Sequence, residues 1–325
     1  MIADKSQIKR ILVITLSNVG DIILTTPVIS TLKNEFPGAR IDVLVGPQGK
    51  DIFEKDPAVI KLMIYDKHSS LAAKRRIQLR LKNLRYDMVV DLKNTIFPLL
   101  ISPKYRTSTV QRFPAPVVHS MDRHLYRLKS LGVKDPQRRP YIYIPAEDDE
   151  YISGLLKSEG VPEPMVVVNA AAKSHLKRWM PEGFAEVCDR LAGECKASII
   201  MIGLKEDADI VAAITARMKT KPFNFVGKTN IRQLASLLKR SRLLITNDSA
   251  PLHLGCAVGT KVLAIFGPTD PKKYGPTGEL DSVINTRLHC SPCERAECRF
   301  NHECMKLISA DEVFDTARMM LEGYG

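Results

Sequence analysis

Asp248 and Ser249 stand in a polar turn, Asn247-Asp248-Ser249-Ala250, between an apolar run at 243–246 and Pro251, which opens a short helical pattern ending at Gly259. A second apolar run follows at 261–266. Strand, turn, helix and strand make a βαβ unit, and its turn falls at the carboxyl edge of a parallel sheet, where open α/β folds hold ligands. A serine hydroxyl and the N–H groups that begin a helix suit an anion, because unsatisfied donors coincide with the positive end of the helix dipole. Phosphate is the natural candidate. Asp248 must then turn away to brace the loop or accept from a sugar hydroxyl. Simple helix capping by the same two residues stays open.

Three further groups could complete a group transfer. Asp21 follows Gly20 at the mouth of the first strand-to-helix turn, where a carboxylate can take a proton from an incoming hydroxyl or cap the helix, and Gly20 leaves room for a ligand. Lys173, Lys177 and Arg178 lie in the loop 170–180 with the only Trp, ahead of a helix beginning near Pro181. Cations there can neutralise a diphosphate leaving group without a metal. Glu206 and Asp207, just past the strand at 197–202, are placed either to accept from a ribose diol or to favour a helix N-terminus.

The elements that must position these groups follow from apolar periodicity. Strands are expected at 11–16, 41–45, 61–65 and 88–92, with a helix between the first two carrying Leu24, Val28, Leu32 and Phe36 on one stripe. A second series runs 165–169, 197–202, 223–226, 243–246 and 261–266, and Asn169 closes its first strand. The βαβα rhythm gives an α/β fold. The stretch 105–116 reads as a loop containing Arg106, 119–131 as a helix exposing Asp122, Arg123 and Arg127, and 147–160 as another helix. Val161-Pro162-Glu163-Pro164 divides the chain into domains 1–160 and 161–325.

The 325 residues, 45% hydrophobic and 26% charged, accommodate two soluble domains. No segment approaches ~18 uninterrupted apolar residues, and no signal-peptide pattern opens the chain, so a cytoplasmic protein is expected. The net charge of +12 is uneven: residues 1–160 hold 26 Lys and Arg against 17 Asp and Glu. An anionic partner is therefore expected on the first half. Residues 67–85 carry seven Lys or Arg and no acid, with Leu71, Ile77, Leu81 and Leu84 at helical spacing; this is either a solvated basic face or a contact for a membrane surface or acidic substrate. No base-reading motif accompanies it, which argues against nucleic acid, and the lack of Gly-x-Gly-x-x-Gly argues against a nicotinamide or flavin enzyme. Cys290, Cys293, Cys298 and Cys304, spaced C-x2-C-x4-C-x5-C, could wrap zinc or an iron–sulfur cluster, or remain thiols.

These blocks together resemble glycosyltransferase family nine, the ADP-heptose:lipopolysaccharide heptosyltransferases. Asp248, Ser249, Ala250, His253 and 266–271 match its donor turn and Phe-Gly-Pro-Thr-Asp-Pro loop, with Ala250 where Gly is commoner. Gly20-Asp21 with Thr25-Thr26-Pro27, His119-x-x-Asp122-Arg123-x-Leu125 and Lys177-Arg178-Trp179-x-Pro181 match its other hallmarks. The resemblance implies a GT-B-like pair of doubly wound Rossmann-type domains facing a cleft, the last helix, near 309–321, strapping back to the first. It implies inverting, metal-independent transfer of a heptose from an ADP-sugar to an anionic lipopolysaccharide core at the inner face of the inner membrane. Asp21 would be the base. Lys177 would hold the diphosphate, with Asn169, Glu206, Asp207, Asp248, Ser249, Ala250 and His253 around the donor. Gly20, Arg106, His119 and Arg123 would meet the acceptor, Arg being suited to carboxylates and phosphates by its two parallel donors. A sugar-nucleotide epimerase on the same fold and a non-catalytic metal- or redox-responsive binding protein remain the competing readings.

Overall fold

The computed structural model describes residues 7–16, 18–108 and 110–323. It comprises two compact units, 1–143 and 144–325. In the first, β1 (Arg10–Thr15), β2 (Arg40–Val45), β3 (Lys61–Ile64), β4 (Met88–Asp91) and β5 (Tyr105–Arg106) form a parallel sheet in the order β3-β2-β1-β4-β5. Its central strands are Val- and Ile-rich because helices cover both faces and leave little of either exposed. The chain winds outward from β1 through β2 and β3 on one side, and from β4 to β5 on the other. The boundary between β1 and β4 is therefore the topological switch point, where turns part and a crevice opens beyond the strand ends.

The second unit repeats the design with β6 (Met165–Asn169), β7 (Ser198–Met201), β8 (Phe223–Asn224), β9 (Leu243–Asn247), β10 (Lys261–Phe266) and β11 (Ser282–Asn285). All pairings are parallel, in the order β11-β10-β9-β6-β7-β8, which puts the second switch point between β6 and β9. Its core includes Val166, Val168, Phe184, Leu191, Ile245, Ile265 and Phe314.

Three features of the structure differ from the sequence expectations. Tyr105 and Arg106 form an edge strand rather than a loop: backbone pairing with β4 supplies what their short, charged sequence does not advertise. β11 was not anticipated either. The helix Ala146–Glu159 belongs with the second unit, although the Pro-rich segment at 161–164 follows it, because Asp148 and Asp149 are bonded to Arg232, Ser236 and Arg240 of the helix Ile231–Arg240. The last helix, Ala310–Glu322, buries Val313, Phe314, Ala317 and Met320 in the second unit's own core.

Candidate functional site

At the end of β6, Asn169 is buried and its amide donates to Thr246 Oγ1 at 3.1 Å, Ser249 Oγ at 2.9 Å and the Ala171 carbonyl at 3.0 Å. Asn247, at the end of β9, donates to the Ala170 carbonyl at 2.7 Å and accepts from the Trp179 N–H at 3.1 Å. Two buried amides thus stitch the loop after β6 to the turn after β9, across the switch point. Buried polar groups of this kind are tolerated only when fully bonded, and then they fix one geometry.

That framework decides how Asp248 and Ser249 are used. Asp248 Oδ2 receives Lys177 Nζ at 2.6 Å and Thr269 Oγ1 at 2.6 Å, so the carboxylate braces the three loops that follow β6, β9 and β10. Ser249 is the N-cap residue of the helix Ala250–Val258 by position, yet its side chain makes no capping bond; its hydroxyl is turned to Asn169, Thr246 and the Asn247 carbonyl. Neither side chain caps the helix, so the N–H groups of its first turn, at the positive end of the helix dipole, take no bond from them. Lys177 is partly exposed, with one side on Asp248 and the other toward solvent. Ala250 is half-buried at the helix start, and His253 is buried one turn on. Glu206 is exposed, whereas Asp207 accepts the Leu204 N–H at 2.8 Å and so shapes its own turn. None of the contacts around Asn169 and Asp248 includes either acid.

The first unit builds a second constellation at β1 and β4. Gly20 and Asp21 lie in the short helix Val19–Ile23, whose N-cap is Asn18, so Asp21 sits inside the first turn and is not its cap. Its Oδ2 is 3.6 Å from Lys93 Nζ, reaching from the loop after β4. Asp91 holds that loop: its buried carboxylate accepts from the Lys93 N–H at 2.8 Å, the Thr95 N–H at 2.5 Å and Thr95 Oγ1 at 2.9 Å, while burial pushes its pKa up. Thr25 and Thr26 act structurally, bonding the Ile22 and Ile23 carbonyls and, through Thr26 Oγ1, the Tyr141 N–H.

Arg127 lies near enough to Asp91 for their charges to interact, and Lys93, Arg127 and His119 act in the same way on His124. His119 Nδ1 accepts the Met121 N–H at 3.3 Å and orients its ring. Arg123 donates to the Val117 carbonyl and lies over Phe113. Arg127, expected to be exposed, is buried instead: it donates to Asn94 Oδ1 at 2.9 Å, and burial pulls its pKa down. His124 is buried with no hydrogen-bond partner on either ring nitrogen among the described residues. Burial, then Lys93, Arg127 and His119, push its pKa down to about 3, so it is neutral. Arg106 is exposed on β5 and donates to the Pro98 carbonyl. Lys93 and Asp91 were missed from sequence; the available signal was their place at the end of a central strand, the same logic that singled out Asp21.

Cys290, Cys293, Cys298 and Cys304 are free thiols bordering one cavity of about 330 Å³. Burial, then the three other thiols, push Cys304 up to about 11. Among the described residues no three His, Cys, Asp or Glu side chains are placed to hold a metal ion. Their segment instead grips the loops that follow β6 and β10: Ser291 Oγ donates to the Gly267 carbonyl, the Cys293 and Glu294 N–H groups to the Pro268 carbonyl, and His302 Nε2 pairs with the Leu176 carbonyl.

Comparison with known proteins matches residues 74–303 to glycosyltransferase family 9 (heptosyltransferase). Lipopolysaccharide heptosyltransferase 3 of Escherichia coli K12 is 28% identical over 327 residues, covering 93% of this chain and 95% of the relative. Lipooligosaccharide heptosyltransferase 2 of Campylobacter jejuni is 24% identical, with 93% and 95% covered. Among solved structures, a glycosyl transferase family 9 protein from Veillonella parvula superposes with a TM-score of 0.84 at 25% identity, covering 97% of both chains. The E. coli heptosyltransferase WaaC with ADP shares the fold, with a TM-score of 0.69 at 19% identity and 96% and 99% covered.

Proposed function

This chain belongs to glycosyltransferase family 9, the heptosyltransferases, and on that premise we propose that it moves a heptose from ADP-heptose to a hydroxyl of an anionic lipopolysaccharide inner core. The observation that carries the reading is the Lys177–Asp248–Ser249 arrangement at the β6/β9 switch point, a cation and an uncapped helix start where a diphosphate is to be held. WaaC, a relative of the same fold, has ADP in its structure. The comparisons support the transferase reading and neither the epimerase nor the non-catalytic binding protein.

In the proposed step the acceptor oxygen attacks the anomeric carbon, the bond from that carbon to the ADP oxygen breaks, and the configuration inverts. Asp21 takes the hydroxyl proton. Lys93 Nζ, 3.6 Å from Asp21 Oδ2, sets a positive charge beside that carboxylate. The negative charge that develops on the departing diphosphate falls to Lys177, Ser249 and the helix start, which supply without a metal what a divalent cation supplies elsewhere. Lys177 begins on Asp248, so the same ammonium can lean to the diphosphate while Thr269 keeps the carboxylate bonded. Asn169 and His253 support the donor turn from within; Glu206 is the exposed acid left to meet a ribose. Gly20, His119, Arg123 and Arg106 are assigned to the acceptor side, with Lys93 and Arg127 added to them.

Zinc or an iron–sulfur cluster at the four cysteines is a separate proposal, and no step of the transfer runs through it. Four thiols within 15 residues, the last in the helix Glu303–Lys306, are suitable donors, but among the described residues they are not arranged to hold an ion. Metal analysis of the purified protein decides it: a metal-free protein with full transfer activity removes the site.

Among the described residues no helix is long and apolar enough to cross a membrane. We place the enzyme in the cytoplasm, against the membrane that carries its acceptor. The test of function is release of ADP from ADP-heptose. It is expected only when a lipopolysaccharide core acceptor is present, whereas ADP release that ignores the acceptor would refute the transfer reading.

A further inference from the structure

The helix Leu71–Asn83 is basic on the side it turns to solvent. Its inward residues Ile77 and Leu81, with Leu84 just beyond, join a core with Leu12, Ile14, Met63 and Val89. The short helix Phe97–Ile101 enters the same core through Phe97, Leu100 and Ile101, so the two helices pack side by side on one face of the first sheet. Burial of those residues leaves four large apolar side chains facing out: Leu71 at 84% exposure, Leu79 at 52%, Ile96 at 62% and Leu99 at 53%. On the first helix Leu79 lies nearly opposite Leu81 around the helix axis and is bordered by Arg75, Arg76 and Lys82, all exposed.

Seven Lys or Arg lie between Lys67 and Arg85 with no Asp or Glu among them, and among the described residues none of the seven forms a salt bridge. Arg10 with Asp42 and Arg138 with Asp122, elsewhere in the unit, do form such pairs. Exposed leucines interleaved with unpaired cations are the composition of a helix lying in a headgroup layer: the apolar tips enter the acyl boundary and the cations meet lipid phosphates.

We propose that the outward faces of the helices Leu71–Asn83 and Phe97–Ile101 form a docking surface for an anionic lipid bilayer, with Leu71, Leu79, Ile96 and Leu99 entering it and Arg75, Arg76 and Lys82 paired with its phosphates. This rests on the reading that the acceptor is lipid-linked, but its test needs no sugar donor. A docked first unit, which carries Asp21, meets an acceptor held in the same membrane by motion along a surface rather than through bulk solution.

The test is sedimentation of the full chain with sucrose-loaded vesicles of phosphatidylcholine alone, or of phosphatidylcholine mixed with phosphatidylglycerol, at low and high salt. Binding is expected to the phosphatidylglycerol vesicles only, and to weaken as salt screens it. The triple variant Arg75→Gln/Arg76→Gln/Lys82→Gln is expected to lower the partition coefficient about a hundredfold, at roughly fivefold per cation. Leu79→Ser/Leu99→Ser is expected to lower it as well, while its remaining binding stays salt-sensitive. Both variants alter exposed positions and should keep the wild-type melting temperature and the transfer rate on a delipidated, soluble acceptor. Equal sedimentation with both vesicle types, a triple variant that binds as wild type does, or binding to RNA without binding to vesicles would each overturn the proposal. Intact docking with no transfer on any acceptor would instead refute the enzymatic reading.

Discussion

In the proposed transfer Lys177 serves both structure and chemistry. Its ammonium lies 2.6 Å from a buried carboxylate yet keeps part of its surface in solvent. Lys177→Met should therefore lower kcat on ADP-heptose by about 10²–10³-fold, as removal of one charge-stabilising donor does elsewhere. Steady-state kinetics read this, and an unchanged kcat would take Lys177 out of the reaction. His124 makes a different prediction, about pH. Its folded pKa, about 3, lies below the ordinary histidine value, so the unfolded chain binds a proton that the folded chain refuses. Stability attached to this group is complete above about pH 6.5 and falls at up to about 1.4 kcal/mol per pH unit as the pH drops toward 3. Thermal melts of His124→Leu should show a flatter acid limb than wild type. Identical acid limbs would mean that the ring is not buried neutral. Neither Lys93 nor His124 was legible in the sequence as part of the site. A lysine after a strand and a histidine on an amphipathic helix look ordinary until the fold brings them beside Asp21 and Arg127.

Elements were easier to read than their allegiances. The apolar runs that became β1, β2, β4, β6, β9 and β10 are legible because strands buried on both faces must be continuously hydrophobic. β5 and β11 escaped notice, being short edge strands held mainly by backbone pairing to a neighbour. The helix Ala146–Glu159 is legible as a helix, and whereas the Pro-rich segment sets it before a boundary at 160, its side-chain bonds group it with the compact unit 144–325. Its allegiance rests on Asp148, buried and hydrogen-bonded to Arg232 at 2.6 Å; burial alone would raise the carboxyl's pKa, but the bonds from Arg232 and Asn230 more than offset that and hold it low. Asp148→Ala removes a buried carboxylate that accepts from both Arg232 and Asn230 and should cost about 3–5 kcal/mol, visible as a drop in melting temperature. For the same reason a fragment spanning 144–325 should fold cooperatively, while one spanning 161–325 should not. Equal stability of the two fragments would return the helix to the first unit.

At the scale of the whole molecule, the two units repeat one device: a parallel sheet whose switch point gathers charged groups, Asp21 with Lys93 in one and Lys177 with Asp248 in the other. The proposed division of labour assigns the donor to the second unit and the acceptor to the first. ADP at about 100 times its dissociation constant should then stabilise the second unit by about 2.7 kcal/mol, whether in the whole chain or as the 144–325 fragment. A fragment that gains nothing from ADP would move the donor elsewhere. The most direct test of the central claim is acceptor-dependent ADP release by Asp21→Asn beside wild type, with ADP-heptose binding measured on the same preparations. The variant is expected to bind ADP-heptose as wild type does and to lose at least about 10²–10⁴-fold in turnover, the scale of general-base catalysis. Turnover close to wild type in Asp21→Asn would contradict the account.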